Sequence, residues 1–251
     1  VQGYPDLYKL TKDQSIKPIY GAEFIFVDEK DIQIVKNPID KLIGDAIYTV
    51  FDIETTGLST NFDKIIEIAA IKIQHGQVID EYQTFVDPER DLSMLITKIT
   101  SIKNSDVRGQ KTIDVAIKEF KNFFDGTIMV AHNAHFDMGF IEKELKAHGL
   151  YDKEMTSIDT LSIARNCYSE DLKRFNLKAV ARFFKIDLIQ HHRAIYDTRA
   201  TADIFNKMMH DARVKGILNV NELNQLSTRS LGYQYVIEKN ISNLAKNQTG
   251  L

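Results

Sequence analysis

The chain has 251 residues, 43% apolar and 27% charged, a globular balance that allows one large domain or one ordinary domain with additions. With 32 basic against 35 acidic residues its net charge is −3, which excludes a general polyanion binder; any contact with nucleic acid has to come from a local site. The single cysteine, Cys167, excludes an internal disulfide and a cysteine-based zinc site, and no apolar run reaches membrane-spanning length, so the expected setting is a reducing cytoplasm with no membrane contact.

Residues 1–46 hold short β-like pieces such as "IKPIYGAEFIFV" without a helix–strand repeat, and a chain opening on Val is expected to be a piece of a longer one. The first clear strand is about 47–54. The second, "KIIEIAAIKI", leads through Gly76 of "QHGQ" into a third, "VIDEYQTFVDP", and so short a connection predicts an antiparallel hairpin. From about residue 91 the period changes. "TIDVAIKEFKNFF" has helical spacing, "GTIMVAHN" returns to strand, a helix follows at about 136–148, and a short strand lies near "MTSID". Three further helices are expected at about 160–168, 176–185 and 195–213, and beyond about 226 only β-like fragments such as "GYQYVIEKN" remain. Three antiparallel strands followed by alternating helix and strand give an α/β fold: a mixed sheet with helices on both faces and small flanking α+β segments.

Four acids stand where apolar residues belong. In "YTVFDIETTGLS", Asp52 and Glu54 interrupt a buried strand and, two apart, project from one face. In "VAHNAHFDMGFIEKEL", Asp137 shares a helix face with Phe140, Ile141 and Leu145. In "HHRAIYDTRATADIF", Asp197 shares one with Ala200, Ile204 and Met208. Taken singly, Asp137 reads as a first-turn acid favoured by the helix dipole, and Asn133 as a turn or cap residue. Taken together, four buried carboxylates need positive partners, and an all-oxygen donor set suits Mg²⁺ or Mn²⁺ better than zinc. A helix beginning near Ala194 leaves His192 in the preceding loop, where an imidazole can accept a proton near neutral pH; the ordinary reading of His192 and of His191 is exposure.

"DIETTGL", "AHNAHFD" and "HRAIYD" resemble, in order, the three motifs of the DnaQ-like, DEDD-type 3′→5′ exonucleases of the His-containing subclass. The resemblance implies a ribonuclease-H-like fold and metal-dependent release of nucleoside monophosphates from a nucleic-acid 3′ end. It makes Asp52, Glu54, Asp137 and Asp197 ligands of two divalent cations and His192 the general base. It lines the terminal nucleotide with Thr55, Thr56, Gly57, Leu58 and Phe136, and with Asn133 unless that residue only shapes the turn. His191 is out of register and is not carried over.

The ends, "IKPIYGAEFIFVDE" and "AKNQTGL", resemble pieces of the polymerase-and-histidinol-phosphatase (PHP) domain, which an exonuclease interrupts in PolC-type replicative DNA polymerase III. That order implies a PHP-like piece at 1–46, an exonuclease domain at 47–225 and a PHP-like piece at 226–251 of a larger polymerase. Its partners would be a single-stranded or frayed primer 3′ end, the rest of the polymerase and replisome subunits. Glu23 falls at a ligand position of such a domain, but without an upstream "HxH" it reads better as a strand-end acid. Two alternatives stay open on the motifs: a stand-alone exonuclease acting on RNA or short oligoribonucleotides, and a non-catalytic binding module. "DLKRFNLKAVARFFK" reads as core (Phe175, Leu177, Val180, Phe184) with a solvated face (Lys173, Lys178, Arg182) rather than as a DNA track, and Asp159 as a helix N-cap.

Overall fold

The computed structural model describes Thr11, residues 33–188 and residues 193–230. The chain divides into two compact units, Val1–Ile32 and Gln33–Leu251, and the sheet lies in the second. Its elements run β1 (Val35–Lys36), β2 (Ile47–Thr55), β3 (Ile65–Gln74), β4 (Gln77–Phe85), α1 (Met94–Thr100), α2 (Asn104–Val107), α3 (Ile113–Phe124) and β5 (Ile128–Ala131). They continue with α4 (Ala134–Ala147), β6 (Ser157–Asp159), α5 (Thr160–Cys167), α6 (Leu177–Phe183), α7 (Ala194–Val214) and a 3₁₀ segment, Val220–Ser230.

The strands form one mixed sheet in the order β1-β6-β5-β2-β3-β4. β3 pairs antiparallel with β2 and β4, while β5 runs parallel to β2 and to β6. The β3–β4 hairpin turns on His75 and Gly76, both at positive φ (50° and 75°), which matches the twist of the strands it joins.

Strand alternation divides the core in two. Tyr48 and Val50 of β2, with Ile71 and Ile73 of β3, pack on the face covered by α5, α6 and α7, against Ile163, Val180, Ile204 and Phe205. Phe51 and Ile53 point the other way, into Ile117, Phe120, Phe140 and Ile141 of α3 and α4. Both faces are therefore dry, which is why β2 and β3 read as nearly continuous apolar runs. Burial of each large side chain here stabilises by about 1.5–3 kcal/mol.

The helical stretch after "DLKRFN" is core on one side: Leu177 and Val180 are buried, Phe175 and Phe184 pack on the same cluster, and Lys173, Lys178 and Arg182 are exposed. The sequence reading contained neither α1 nor α2. Met94, Leu95 and Ile99 of α1 are exposed and only Ile96 joins a small cluster with Leu92, Ile102 and Val107, so no apolar stripe marks the helix. Its start was nonetheless written in Ser93, whose side chain accepts from the Ile96 N–H. α4 begins at Ala134, two residues before the expected 136, because Asn133 turns the chain in the left-handed region (φ 73°, ψ 48°) and Asp159 accepts the first N–H groups. None of the helices among the described residues is long and apolar enough to cross a membrane. The PHP-like stretches 16–29, 232–240 and 245–251, with Glu23, lie outside the described residues.

Candidate active site

The face of β2 that carries Tyr48 and Val50 continues with Asp52 and Glu54, so one side of a single strand changes from apolar to acidic within four residues. Asp197, in the first turn of α7, comes down on that end: one carboxylate oxygen each from Asp52, Glu54 and Asp197 lie within 4.8 Å of one another. Asp137 enters from the first turn of α4, is only 3% exposed, and accepts a hydrogen bond from the Ile53 N–H at 3.3 Å. The inward stripes behind these two acids are buried: Phe140, Ile141 and Leu145 on α4, Ala200, Ile204 and Met208 on α7.

Three of these carboxylates hold their protons more tightly than usual. Burial, and then the charges of Asp137, Glu54 and Asp197, push Asp52 well above the usual carboxylate range. Glu54 is pushed up to about 8, first by burial and then by Glu67 and Asp197, with Arg193 pulling the other way. Asp137 is likewise raised to about 8 by burial, partly offset by the N–H groups of Ile53 and of Asp137 itself. The surrounding protein thus supplies too little positive charge to keep these acids ionised, and the donors are all oxygen. This set fits divalent cations of the Mg²⁺ or Mn²⁺ kind.

The loop after β2 is built by side chains. Thr55 Oγ1 donates to the Gly57 carbonyl at 2.6 Å. Thr56 Oγ1 donates to Asp63 at 3.1 Å and accepts from the Lys64 N–H at 3.0 Å, while Arg90 reaches both Thr56 and Asp63. At Gly57 an added Cβ would meet the Asp63 carboxylate, which Thr56, Ser59 and Arg90 hold in place, so this close approach favours glycine. Leu58, at the loop tip, is 84% exposed. On the α4 side Asn133 is exposed, and Phe136 is half-buried with its ring 5.3 Å from that of Phe140. His191 and His192 lie outside the described residues; α7 begins at Ala194, with Arg193 as its cap residue.

Three residues of consequence escaped the sequence reading or were understated in it. Asp159 accepts from the Leu161 N–H at 2.9 Å, as an N-cap of α5 should, and also from the N–H groups of Asn133 and Ala134 at 2.9 and 3.2 Å. It therefore fastens the turn that delivers Asp137. Glu67, fully buried, pairs at 3.7 Å with the partly exposed Arg193 beside the acidic cluster. The signal for Glu67 is in the sequence: "KIIEIAAIKI" contains an acid in an apolar strand, the same anomaly as Asp52 in β2.

A sequence profile of the RNase_T family, described as exonuclease, matches residues 49–205, more than half of the chain. The chain belongs to this DnaQ-like exonuclease family. It is 39% identical over 251 residues to the Staphylococcus aureus protein "DNA polymerase III PolC-type", a match covering 100% of this chain and 17% of that one. The chain therefore spans about a sixth of the length of the PolC-type relatives it matches. Among solved structures it resembles E. coli Exonuclease I in complex with a dT13 oligonucleotide, with TM-score 0.61, 18% identity and coverage of 68% of this chain and 43% of that one. It also resembles Exonuclease X in complex with 5′ overhanging duplex DNA, with TM-score 0.56, 23% identity and coverage of 72% and 99%. These two share the mixed-sheet, ribonuclease-H-like fold expected above.

Proposed function

We propose that this exonuclease removes nucleoside monophosphates from DNA 3′ ends with the help of two divalent cations, Mg²⁺ or Mn²⁺, and does so as the proofreading part of a PolC-type DNA polymerase III. The observation that carries the reading is the convergence of Asp52, Glu54 and Asp197 within 4.8 Å, with Asp137 buried alongside. These four acids are the proposed ligands. When bound, divalent cations supply the Lewis acidity that activates water and neutralises the leaving 3′ oxygen. The chain's own residues do the rest. The carboxylates align the scissile phosphate by fixing its counter-charge, and His192 accepts the proton of the attacking water, a role worth about 10²- to 10⁴-fold. Thr55, Thr56, Gly57, Leu58, Asn133 and Phe136 line the terminal nucleotide, the Thr56 side chain and the Ser59 N–H being held by Asp63, which Arg90 holds in turn. Without cations the site repels phosphate, so binding of a frayed primer end follows metal loading.

The similarity to PolC-type chains over the full length supports the larger assignment: an exonuclease domain at 47–225 between PHP-like pieces at 1–46 and 226–251, working with the rest of the polymerase and the replisome. The test is digestion of a 3′-labelled DNA primer, paired and mismatched, with and without Mg²⁺ or Mn²⁺. The expected result is metal-dependent mononucleotide release, faster from the mismatched end and abolished in Asp52→Ala with the melting temperature preserved. Preference for a matched RNA strand would overturn the polymerase assignment, and metal-independent release would overturn the site.

A further inference from the structure

Glu67 is an acid that none of the three motifs uses. It lies in β3 directly opposite Glu54 in the strand register and is fully buried. A carboxylate in that position is tolerated only when its oxygens are satisfied. Gln83, from β4, donates to Oε1 at 2.7 Å and ties the carboxylate to the sheet. Two further contacts among the described residues reach the entry to α7: the Ala194 N–H donates to Oε2 at 3.4 Å, and the Arg193 guanidinium lies 3.7 Å from Oε1.

That helix start has no side-chain cap of its own. Arg193 is the cap residue, in extended conformation, and makes no capping hydrogen bond, so Glu67 supplies from another element the anion that a helix N-terminus favours. The guanidinium sits 5.4 Å over the Phe85 ring, and among the described residues its buried Nε has no hydrogen-bond partner, so Glu67 and the ring are its direct contacts there. One turn later the Asp197 N–H donates to the Arg193 carbonyl at 3.2 Å. The next residue, Thr198, donates from Oγ1 to the Ala69 carbonyl of β3 at 3.4 Å.

We propose that Glu67 and Arg193 act as one positioning unit that seats the first turn of α7 on the sheet and so sets Asp197 against Asp52 and Glu54 for divalent-cation binding. The proposal rests on the metal site of the proposed exonuclease, yet it makes a prediction that simple charge does not. Arg193 bears on Glu54 as a neighbouring positive charge. If charge were the whole effect, removing Glu67 would weaken cation binding and removing Arg193 would strengthen it. A positioning unit weakens binding when either member is lost.

The experiment measures Mn²⁺ affinity of the 251-residue chain by calorimetry for the wild type, Glu67→Gln, Arg193→Gln, Arg193→Lys and the Glu67→Gln/Arg193→Gln double variant, with a melting curve for each. Expected is a loss of about 10-fold in each Gln variant, the scale typical of residues that orient metal ligands. The double variant should be no weaker than either single one, and Arg193→Lys should recover part of the loss. Tighter Mn²⁺ binding in Arg193→Gln, or losses that add in the double variant, would overturn the unit. If Glu67→Gln does not fold, the sign of the Arg193→Gln effect still decides. A wild-type chain that binds Mn²⁺ but releases no nucleotide would remove the exonuclease reading while the affinity series settles the unit; one that binds no Mn²⁺ removes both.

Discussion

α4 and α7 perform the same task by different means. Each brings an aspartate in its first turn to the acidic end of β2, and each backs that acid with a buried apolar stripe. α4 is fastened by Asp159, half-open to solvent, through hydrogen bonds to the backbone N–H groups of Asn133 and Ala134. α7 is fastened by Glu67, fully buried, through a long hydrogen bond to the Ala194 N–H and an ion pair with Arg193. The first device is local cap chemistry, which is cheap because water helps to solvate the anion. The second places an anion in the core, where it also raises the proton affinity of Glu54 opposite. Such an arrangement costs stability, and what it returns in the proposed unit is a fixed geometry for Asp197.

The comparison breaks most completely if the delivered acids are not equivalent. Asp137→Ala and Asp197→Ala are each expected to lower metal-dependent release of labelled nucleotide by about 10²- to 10³-fold, the range typical of losing electrostatic support for a reacting centre; a residual rate within 10-fold of wild type for either would show that its helix serves only the fold. Next in size, Asp159→Ala should cost about 1–2 kcal/mol in denaturant unfolding by removing a cap, with a fall in turnover, and Asp159→Asn, which keeps an acceptor, should cost less.

The acidic end also carries a pH signature. Glu54 takes a proton at about 8 in the folded chain against 4.5 for the ordinary group, and Asp137 is raised in the same sense. Between these values the folded state binds more protons than the unfolded one, so the metal-free protein is most stable below about pH 4.5 as far as this group is concerned and loses that contribution as pH rises to about 8. Melting temperature should therefore fall from pH 5 to pH 8 without metal, and saturating Mg²⁺ should flatten the slope, because cations replace protons there. A metal-free curve that rises over this window would contradict the crowded site. The smallest effect is expected at Asn133→Gly. Glycine accepts the left-handed turn (φ 73°), so stability should stay within about 0.5 kcal/mol, while a few-fold rise in KM for primer would show that the side chain meets the nucleotide.

Much of this molecule was legible from residue order because its signals are local. Short strand-like runs placed β2, β3 and β4, helical spacing placed α3, α4 and α7, and four acids on otherwise apolar faces marked the candidate site. Helices α1 and α2 were not legible, since their few buried residues contact one small cluster and leave no stripe. Asp159 was read as the cap of its own helix, correctly but incompletely, because its bonds to Asn133 and Ala134 span 26 and 25 residues of chain.

The sequence by itself determined which side chains are acidic on which face, and through the order of its motifs the family to which the chain belongs. Only the tertiary structure decided that Asp52, Glu54 and Asp197 come within 4.8 Å, and that Glu67 pairs with a residue 126 positions away, Arg193, rather than with a neighbour. The physical reason is that periodicity fixes direction about one strand or one helix axis, whereas the distance between charges on different elements is set by how those elements pack.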